Sequence, residues 1–347
     1  MKSGEKILSA TGAEALFTTA EHLKRYLSGF LTEGGFVLVD ERGTTLYTDR
    51  RYLEAARAKL KDVRVQELTK KTTAFEVLSA YQKVAIPFSE TPLKEFENLK
   101  KCGATFVDAD AAFTAAMVVK TEEELGYIQK ASKIAERAYE KLLPQIKEGQ
   151  TEREVAALLD YLMKRLGADG NSFDTIVAFG AHAAVPHHAT GDTPLKFGDE
   201  ILIDFGCKVE GYCSDMTRTV LFGDDGRHEP FKKAYAAVLT AHEKVLKELR
   251  AGMTAGQADA IAREYLVSQG YGDYFTHSLG HGIGLKIHEP PTLTIGKETV
   301  LQDGMVFSDE PGVYIEGELG IRIEDTVTLK DGKAVSLMTT KKDLMIL

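Results

Sequence analysis

The chain of 347 residues has no tryptophan, only three cysteines and no long hydrophobic run. Cys102, Cys207 and Cys213 fit neither a disulfide framework nor the spacing of a zinc site, which is typical of proteins from a reducing compartment. No apolar stretch approaches the roughly 20 residues that span a bilayer, and residues 1–20 lack the apolar segment of a secretory signal. We therefore expect a cytoplasmic protein that is not embedded in a membrane.

Basic residues are also fewer than acidic residues. The chain carries 43 lysines and arginines against 52 aspartates and glutamates, a formal net charge of −9 at pH 7. Nucleic acids and anionic membranes are polyanions and would be repelled, so neither is expected as a partner. The composition, 44% hydrophobic and 27% charged, is that of a globular protein, and the length favours two domains.

The first third of the chain predicts a small α/β domain without a catalytic constellation. A three-residue turn at 41–43 separates the first two predicted strands, and a helical pattern follows at 52–60. Strands are predicted at four short runs rich in β-branched or aromatic residues, namely 36–40, 45–48, 84–86 and 105–107. Near residues 115–120 the pattern changes to that of a long amphipathic helix. We place the domain boundary there, so that the first domain spans residues 1–117 and the second spans 118–347.

The second domain contains a distant internal repeat. Capping boxes are predicted to open three of its helices, at Thr121 with Glu124, Thr151 with Glu154, and Thr254 with Gln257. In each half a longer helix precedes a shorter capped helix, and a Gly-Asp or Asp-Gly pair later leads into an apolar strand, at 201–206 and at 305–312. This alignment places Asp204 against Glu310. It predicts a pseudo-twofold fold with a site on its axis.

Two predicted hairpins would each pair two carboxylates. A turn centred between Val209 and Glu210 would place Asp204 directly opposite Asp215, and a turn centred on Gly317 would place Glu310 opposite Glu324. Opposed residues on one face of a sheet have β-carbons about 5 Å apart, where like charges repel unless a positive charge lies between them. The two hairpins would therefore form one box for cations.

The predicted burial of these acidic residues also indicates a cation site. Asp204 ends an aliphatic strand, and Glu310 follows the apolar run 305–307; Asp309 is the weaker alternative because it does not fall on the repeat. His281 lies between glycines that permit a close backbone approach. Buried carboxylates with little positive charge nearby are too costly without compensation, so the cluster indicates bound cations.

Several segments resemble the creatinase-like, or pita-bread, metallopeptidases of family M24, in the branch of prolidases and aminopeptidases P. The segments are 203–206, 214–219, 280–284, 288–291, 310–312 and 320–325. The likeness covers about residues 120–330, and the segments 26–30 and 49–52 resemble the smaller amino-terminal domain of that branch. The resemblance implies an α+β pita-bread catalytic domain with a pseudo-twofold internal repeat, preceded by a smaller α/β domain.

The same resemblance implies a pair of divalent metal ions. The implied ligands are Asp204, Asp215, His281, Glu310 and Glu324. Asp204 would chelate one ion and His281 would belong to the other, with Asp215 and Glu324 bridging both. One imidazole and four carboxylates without a thiolate favour Mn²⁺, with Co²⁺, Fe²⁺ or Zn²⁺ as alternatives.

Roles for the remaining site residues follow from the resemblance as well. Glu310 is expected to accept and return a proton, while His187 and His288 hydrogen-bond the oxyanion or the peptide near the leaving nitrogen. His277 and Arg322 would shape the substrate end of the site. The other histidines are interpreted as ordinary polar residues, namely His22, His182, His188, His228 and His242, of which His188 is the best candidate to lie near the pocket.

The implied function is hydrolysis of the amino-terminal Xaa-Pro bond of dipeptides or short peptides, by a protein whose relatives are commonly homodimers. Some prolidases carry an arginine shortly after their His-Glu-x-Pro segment, where it can hold a dipeptide's carboxylate; Thr292 stands there in this chain, which favours longer peptides. The alternatives are a methionine aminopeptidase-like or other aminopeptidase of the same fold, a creatinase-like amidinohydrolase that uses no metal, and a non-catalytic peptide-binding protein. The presence of all five ligands favours the peptidase.

Overall fold

The chain folds as two units, Met1–Met117 and Val118–Leu347, each with hydrophobic clusters of its own. The structure is a computed structural model that describes residues 3–224 and 226–347. Within those ranges, no helix combines the length and the apolar character needed to cross a bilayer.

The amino-terminal unit is a six-stranded mixed sheet with helices packed against it, in the strand order β4-β3-β2-β1-β5-β6. Its strands are β1 Ala15–Thr18, β2 Phe36–Asp40, β3 Gly43–Thr48, β4 Arg64–Glu67, β5 Lys83–Ile86 and β6 Thr105–Asp108. Its helices are α1 Ser3–Thr11, α2 Glu21–Ser28, α3 Arg50–Lys59, α4 Ala74–Leu78, α5 Leu93–Leu99 and α6 Asp110–Met117.

The first predicted hairpin has the expected strands but a shorter turn. Asp40 pairs with Gly43, so Glu41 and Arg42 alone form the turn and the three-residue prediction was wrong. Gly43 opens β3 with a φ of 98°, a left-handed conformation that glycine adopts without strain.

The second unit contains the remaining elements. Its helices are α7 Glu122–Leu142, α8 Glu152–Arg165, α9 Glu229–Glu248 and α10 Ala255–Ser268. The strands of its first half are β7 Gly170–Asn171, β8 Ile176–Phe179, β9 Glu200–Phe205, β10 Cys207–Val209, β11 Tyr212–Cys213 and β12 Met216–Leu221. Those of its second half are β13 Gly280–Gly282, β14 Glu289–Leu293, β15 Val306–Asp309, β16 Gly312–Ile315, β17 Leu319–Arg322, β18 Asp325–Lys330 and β19 Lys333–Ser336.

The two halves of this unit repeat one arrangement. Sheet order β12-β9-β8 in the first half corresponds to β18-β15-β13 within the five-stranded sheet of the second. One hydrophobic cluster packs α7 and α8 against β9, and another packs α9 and α10 against β15. The predicted capping boxes at Thr121, Thr151 and Thr254 are all confirmed, with side-chain and main-chain hydrogen bonds reciprocated in each.

One of the two hairpin registers was predicted correctly. Asp309 pairs with Asp325 and Gly312 with Arg322, and this shared register sets Glu310 opposite Glu324, as a turn centred on Gly317 requires. In the hairpin that carries Asp204, this residue pairs with Thr217 rather than with Asp215.

The register of the Asp204 hairpin was predicted wrongly because its turn was misplaced. Val209 pairs with Tyr212, so the turn residues are Glu210 and Gly211, which both have positive φ values of 50° and 85°. Such left-handed pairs suit the twist of a two-residue hairpin. The turn centre therefore lies one residue beyond the predicted position, and Asp215 lies diagonally from Asp204 instead of opposite it.

Candidate metal centre

The five predicted ligands all line one cavity of about 1040 Å³. Each lies at or near the end of a strand: Asp204 on β9, Asp215 just before β12, His281 on β13, Glu310 just after β15 and Glu324 just before β18. His187, His277, His288 and Arg322 line the same cavity. The structure thus brings every residue of the predicted site together.

His281 is oriented toward the carboxylates. Its Nε2 lies 3.5 Å from Asp215 Oδ2 and 3.5 Å from Glu310 Oε1, while its Nδ1 lies 3.2 Å from the carbonyl oxygen of Gly282. A main-chain carbonyl that accepts from Nδ1 fixes the ring and leaves Nε2 as a ligand atom, as is common for metal-binding histidines. Gly280 permits this placement, because a β-carbon there would lie 1.9 Å from the carbonyl oxygen of Ser308 on β15.

The carboxylates are close enough to disturb each other. Ligand atoms of Asp215, His281 and Glu324 lie within 4.8 Å of one another. Burial, and then repulsion from neighbouring carboxylates, raises the pKa of both Asp215 and Glu324 well above the usual range. Burial likewise raises the pKa of Glu310 to about 8. By contrast, burial lowers the pKa of His281 to about 4, so its imidazole is neutral at pH 7 and can bind a cation.

Arg322 corrects one premise of the sequence analysis. The cluster was expected to have little positive charge nearby, yet the buried guanidinium of Arg322 donates from Nη2 to Asp204 Oδ2 at 2.6 Å. It also donates from Nε to Thr217 Oγ1 at 3.0 Å and from Nη1 to Tyr314 Oη at 2.8 Å. One guanidinium cannot compensate four carboxylates, so within the described residues most of this acidic cluster has no positively charged partner.

The donors fit divalent cations. Asp204 Oδ1 is buried and makes no hydrogen bond to the described part of the chain, although its second oxygen is held by Arg322. Glu324 Oε2 accepts from Thr217 Oγ1 at 2.6 Å, and Glu310 Oε1 accepts from Ser308 Oγ at 3.0 Å. Among the described residues, the other oxygen of each carboxylate has no hydrogen-bond donor and can ligate a cation. Buried, hydroxyl-oriented carboxylates with one histidine form a hard, oxygen-rich donor set.

Asp309, the alternative to Glu310, lies on the other face of the ladder. Strand alternation turns Asp309 and its partner Asp325 away from the cavity, and both are fully buried. His242 of α9 lies between them, with Nδ1 3.0 Å from Asp309 Oδ2 and Nε2 3.6 Å from Asp325 Oδ2. Arg218 and Lys342 contact the two oxygens of Asp325 at 2.7 and 2.8 Å. Charges of the chain itself therefore compensate this second acidic pair.

The remaining histidines of the site surround the ligands. The ring of His288 lies 4.1 Å from that of His281, and His277 Nε2 lies 2.9 Å from Tyr314 Oη. Burial lowers the pKa of His277 to about 4 and also lowers that of His288. His187 lies on the exposed side of the cavity.

Several residues near the site were given no functional role from the sequence. Glu152, His182 and His188 form a second group of potential ligand atoms, and His188 lines the cavity, which agrees with its being the best candidate of its group to lie near the pocket. Tyr314 links Arg322 to His277. Glu152 gave no signal of its own, because an acidic residue at the start of a helix is common for reasons of helix stability alone.

Comparison with known proteins agrees with this geometry. A sequence model of metallopeptidase family M24 matches residues 126–331, and one of the creatinase/prolidase N-terminal domain matches residues 2–119. An Xaa-Pro dipeptidase of Pyrococcus furiosus is 39% identical over 317 residues, which span 90% of this chain and 89% of the relative.

Two solved structures resemble the whole chain. An Xaa-Pro dipeptidase from Bacillus anthracis superposes with a TM-score of 0.94 at 34% identity, over 100% of this chain and 99% of that chain. An X-Pro aminopeptidase from Thermotoga maritima MSB8 superposes with a TM-score of 0.92 at 36% identity, over 98% and 99%.

The charged contacts of His242 predict a specific dependence of stability on pH. Although burial opposes protonation, contact with Asp309 and Asp325 raises the pKa of His242 to about 9. Because the folded pKa exceeds the usual value, this stabilisation is complete below about pH 6.5 and is lost as pH rises to 9. In metal-free protein, the free energy of unfolding by urea should lose roughly 3 kcal/mol from this group across that window.

A His242→Asn variant isolates this effect, since asparagine does not titrate. The difference in unfolding free energy between the native protein and the variant should shrink from pH 6.5 to pH 9. A difference that stays constant with pH would show that His242 is not charged in the folded protein.

Proposed function

The chain belongs to metallopeptidase family M24, and we propose that it is a metal-dependent exopeptidase that hydrolyses the amino-terminal Xaa-Pro bond of dipeptides and short peptides. The family and the pita-bread fold predicted from sequence are confirmed. The observation that carries the proposed activity is the convergence of four carboxylates, two buried and two largely buried, with His281 in one cavity; within the described residues, one oxygen of Asp204 has no hydrogen-bond partner.

We assign the binding of two divalent ions, Mn²⁺ in the first instance, to the five convergent donors. Asp204, Asp215, His281, Glu310 and Glu324 would hold them. When bound, such ions polarise the peptide carbonyl and lower the pKa of a water molecule so that it can attack. The hard donor set supports Mn²⁺ over a thiolate-preferring metal.

Glu310 is the residue we assign to proton transfer. In the metal-free site, burial raises the pKa of its carboxyl to about 8, so the group can hold a proton near neutral pH. Ser308 Oγ donates to its Oε1 and fixes the carboxyl, and its Oε2 lies 4.0 Å from His277 Nδ1. Glu310 would take a proton from the attacking water and pass it to the leaving nitrogen.

The neutral histidines suit substrate binding. With a lowered pKa, His288 can offer an N–H to the carbonyl oxygen or the developing oxyanion without carrying a fixed charge. We assign the same role to His187, which lines the same cavity. His277 and Arg322, joined through Tyr314, would shape the substrate end.

The proposed preference for proline rests on the relatives named above. An Xaa-Pro bond lacks an amide N–H, so a site that cleaves it need not accept a hydrogen bond at that nitrogen. We further propose a cytoplasmic homodimer. The three cysteines are free, which supports a reducing compartment.

Hydrolysis should depend on metal. Purified protein loaded with Mn²⁺ should cleave Ala-Pro-Ala, lose this activity on chelation, and regain it when Mn²⁺ is returned, since no side chain of the site can replace the ions. Elemental analysis should find two ions per chain.

Three outcomes would contradict the proposal. Full activity after chelation would favour the metal-free amidinohydrolase alternative. Binding of peptides without hydrolysis in the metal-loaded protein would favour a peptide-binding protein. Faster cleavage of Met-Ala-Ser than of Ala-Pro-Ala would favour a methionine aminopeptidase-like enzyme.

Substrate length should favour peptides beyond dipeptides. Thr292 pairs with His281 across β13 and β14 and lines the cavity, where it offers a hydroxyl but no positive charge for a dipeptide's carboxylate. The cavity of about 1040 Å³ also exceeds what a dipeptide fills. We expect kcat/KM for Ala-Pro-Ala to equal or exceed that for Ala-Pro. A strong preference for the dipeptide would show that another group holds its carboxylate.

Replacing the proton-transfer group should slow the reaction more than it weakens peptide binding. Glu310→Gln should lower kcat roughly 10²-fold or more, because the amide cannot accept the proton. Exposed Glu316, in the turn of the same hairpin, supplies the matched control Glu316→Gln, which should keep its activity. A Glu310→Gln variant with native kcat and native metal content would remove Glu310 from the proton path.

A further inference from the structure

We propose that Glu152 is a positioning residue that holds the segment 180–191 so that His187 lies at the cavity. The segment follows β8 and lies on the connection to β9. It includes His182, Pro186, His187 and His188. The inference rests on the proposed function, because it gives Glu152 an effect on catalysis through His187.

The carboxylate of Glu152 is anchored to both ends of this segment. Glu152 is the first residue of α8, and none of its side chain is exposed. Oε1 accepts from the main-chain N–H of Phe179 at 3.1 Å, immediately before the segment. Oε2 accepts from the main-chain N–H of Gly191 at 2.9 Å, at its end. One side chain therefore fixes the distance between the two ends.

The same carboxylate also binds two side chains within the segment. Oε1 lies 2.7 Å from His182 Nδ1, and Oε2 lies 2.9 Å from His188 Nε2. The two rings lie against each other, with centroids 4.4 Å apart. Burial alone would raise the pKa of Glu152, but hydrogen bonds from His188, His182 and the two amides lower it below the usual value. The anchor is thus an ionised acceptor with four donors, whose hydrogen bonds are stronger than neutral ones.

The main chain of the segment has little freedom to adjust. A β-carbon on Gly320 of β17 would lie 1.7 Å from the carbonyl oxygen of Ala183. The carbonyl of Pro186 lies 3.4 Å from Nη1 of Arg322, the residue that also holds Asp204. Within the described ranges, the side chain of His187 itself makes no hydrogen bond, so its position depends on the backbone that carries it. Releasing that backbone would displace His187 from the cavity.

Hydrogen bonding explains the close contacts among Glu152, His182 and His188, here called the trio, better than a bound metal does. Two histidines and a glutamate could ligate an ion. However, donors about 2.0–2.1 Å from a tetrahedral zinc ion lie roughly 3.3 Å from one another. The observed contacts of 2.7 and 2.9 Å are shorter and match hydrogen bonds. Each Glu152 oxygen is also occupied by a main-chain amide.

A double-mutant cycle tests whether Glu152 acts through His187. Glu152→Gln removes the charge and leaves a single oxygen to accept, so at least one anchor is lost. We expect it to lower kcat/KM for Ala-Pro-Ala roughly tenfold or more, since displacement of a catalytic group by about 1 Å has effects of that size. In a His187→Ala background the same change should cost less than roughly twofold, because the residue through which it acts is already absent.

The matched control lies on the same turn of helix. Glu154→Gln keeps the capping box with Thr151, which accepts glutamine at that position, and should leave kcat/KM unchanged in both backgrounds. If Glu152→Gln does not fold, His182→Ala replaces it in the cycle. His182 is partly exposed and its removal breaks one of the four contacts, so the same non-additivity is expected with a smaller effect.

Two measurements do not depend on activity. Amide hydrogen exchange of 180–191 should accelerate in Glu152→Gln, and the number of ions per chain should not change. Additive effects in the cycle, unchanged exchange, or the loss of one ion per chain would each overturn the positioning role; the last would make the trio a metal site. If the native protein cleaves no Xaa-Pro peptide, the proposed function fails, while the exchange measurement still decides whether Glu152 holds the segment.

Discussion

Repulsion among buried carboxylates is the constraint on which the rest of this site depends. Asp204, Asp215, Glu310 and Glu324 converge from two separate hairpins, and among the described residues Arg322 is the cation that hydrogen-bonds one of them. Burial of uncompensated carboxylates costs several kcal/mol per ion even after relaxation. A fold that concentrates them in a cavity must therefore either protonate them or compensate them with cations, and the neutral imidazole of His281 adds a nitrogen ligand to the carboxylate oxygens.

Strand alternation divides this acidic region into two differently compensated faces. Glu310 and Glu324 face the cavity, whereas Asp309 and Asp325, their neighbours in sequence, face the interior. On the interior face the chain supplies its own positive charges. On the cavity face Arg322 pairs with one oxygen of Asp204, and the other oxygen of Asp204 has no hydrogen-bond partner in the described part of the chain. The period of two in a strand thus places a structural acidic pair directly behind a functional one.

Much of this architecture follows from local sequence, and the exceptions have physical causes. The capping boxes and the Glu310–Glu324 register were predictable because each depends on residues close in sequence. The turn of the Asp204 hairpin was misplaced because Glu210, which is not a glycine, adopts a positive φ. The contact of Arg322 with Asp204 joins residues 118 apart, and Glu152 meets the segment 180–191 only after folding. No local pattern predicts contacts of this kind.

The internal repeat also bears on the different roles proposed for two acids of the site. Asp204 and Glu310 occupy corresponding positions in the two halves, yet their surroundings differ. Arg322 donates to Asp204 Oδ2 at 2.6 Å and holds this carboxylate in place, while Asp204 Oδ1 has no hydrogen-bond partner among the described residues. The carboxyl of Glu310 instead accepts from the hydroxyl of Ser308 at 3.0 Å, and burial raises its pKa to about 8. Because Arg322 hydrogen-bonds Asp204 and not Glu310, a repeated framework gives two corresponding acids different surroundings, in keeping with the ligand and proton-transfer roles proposed for them.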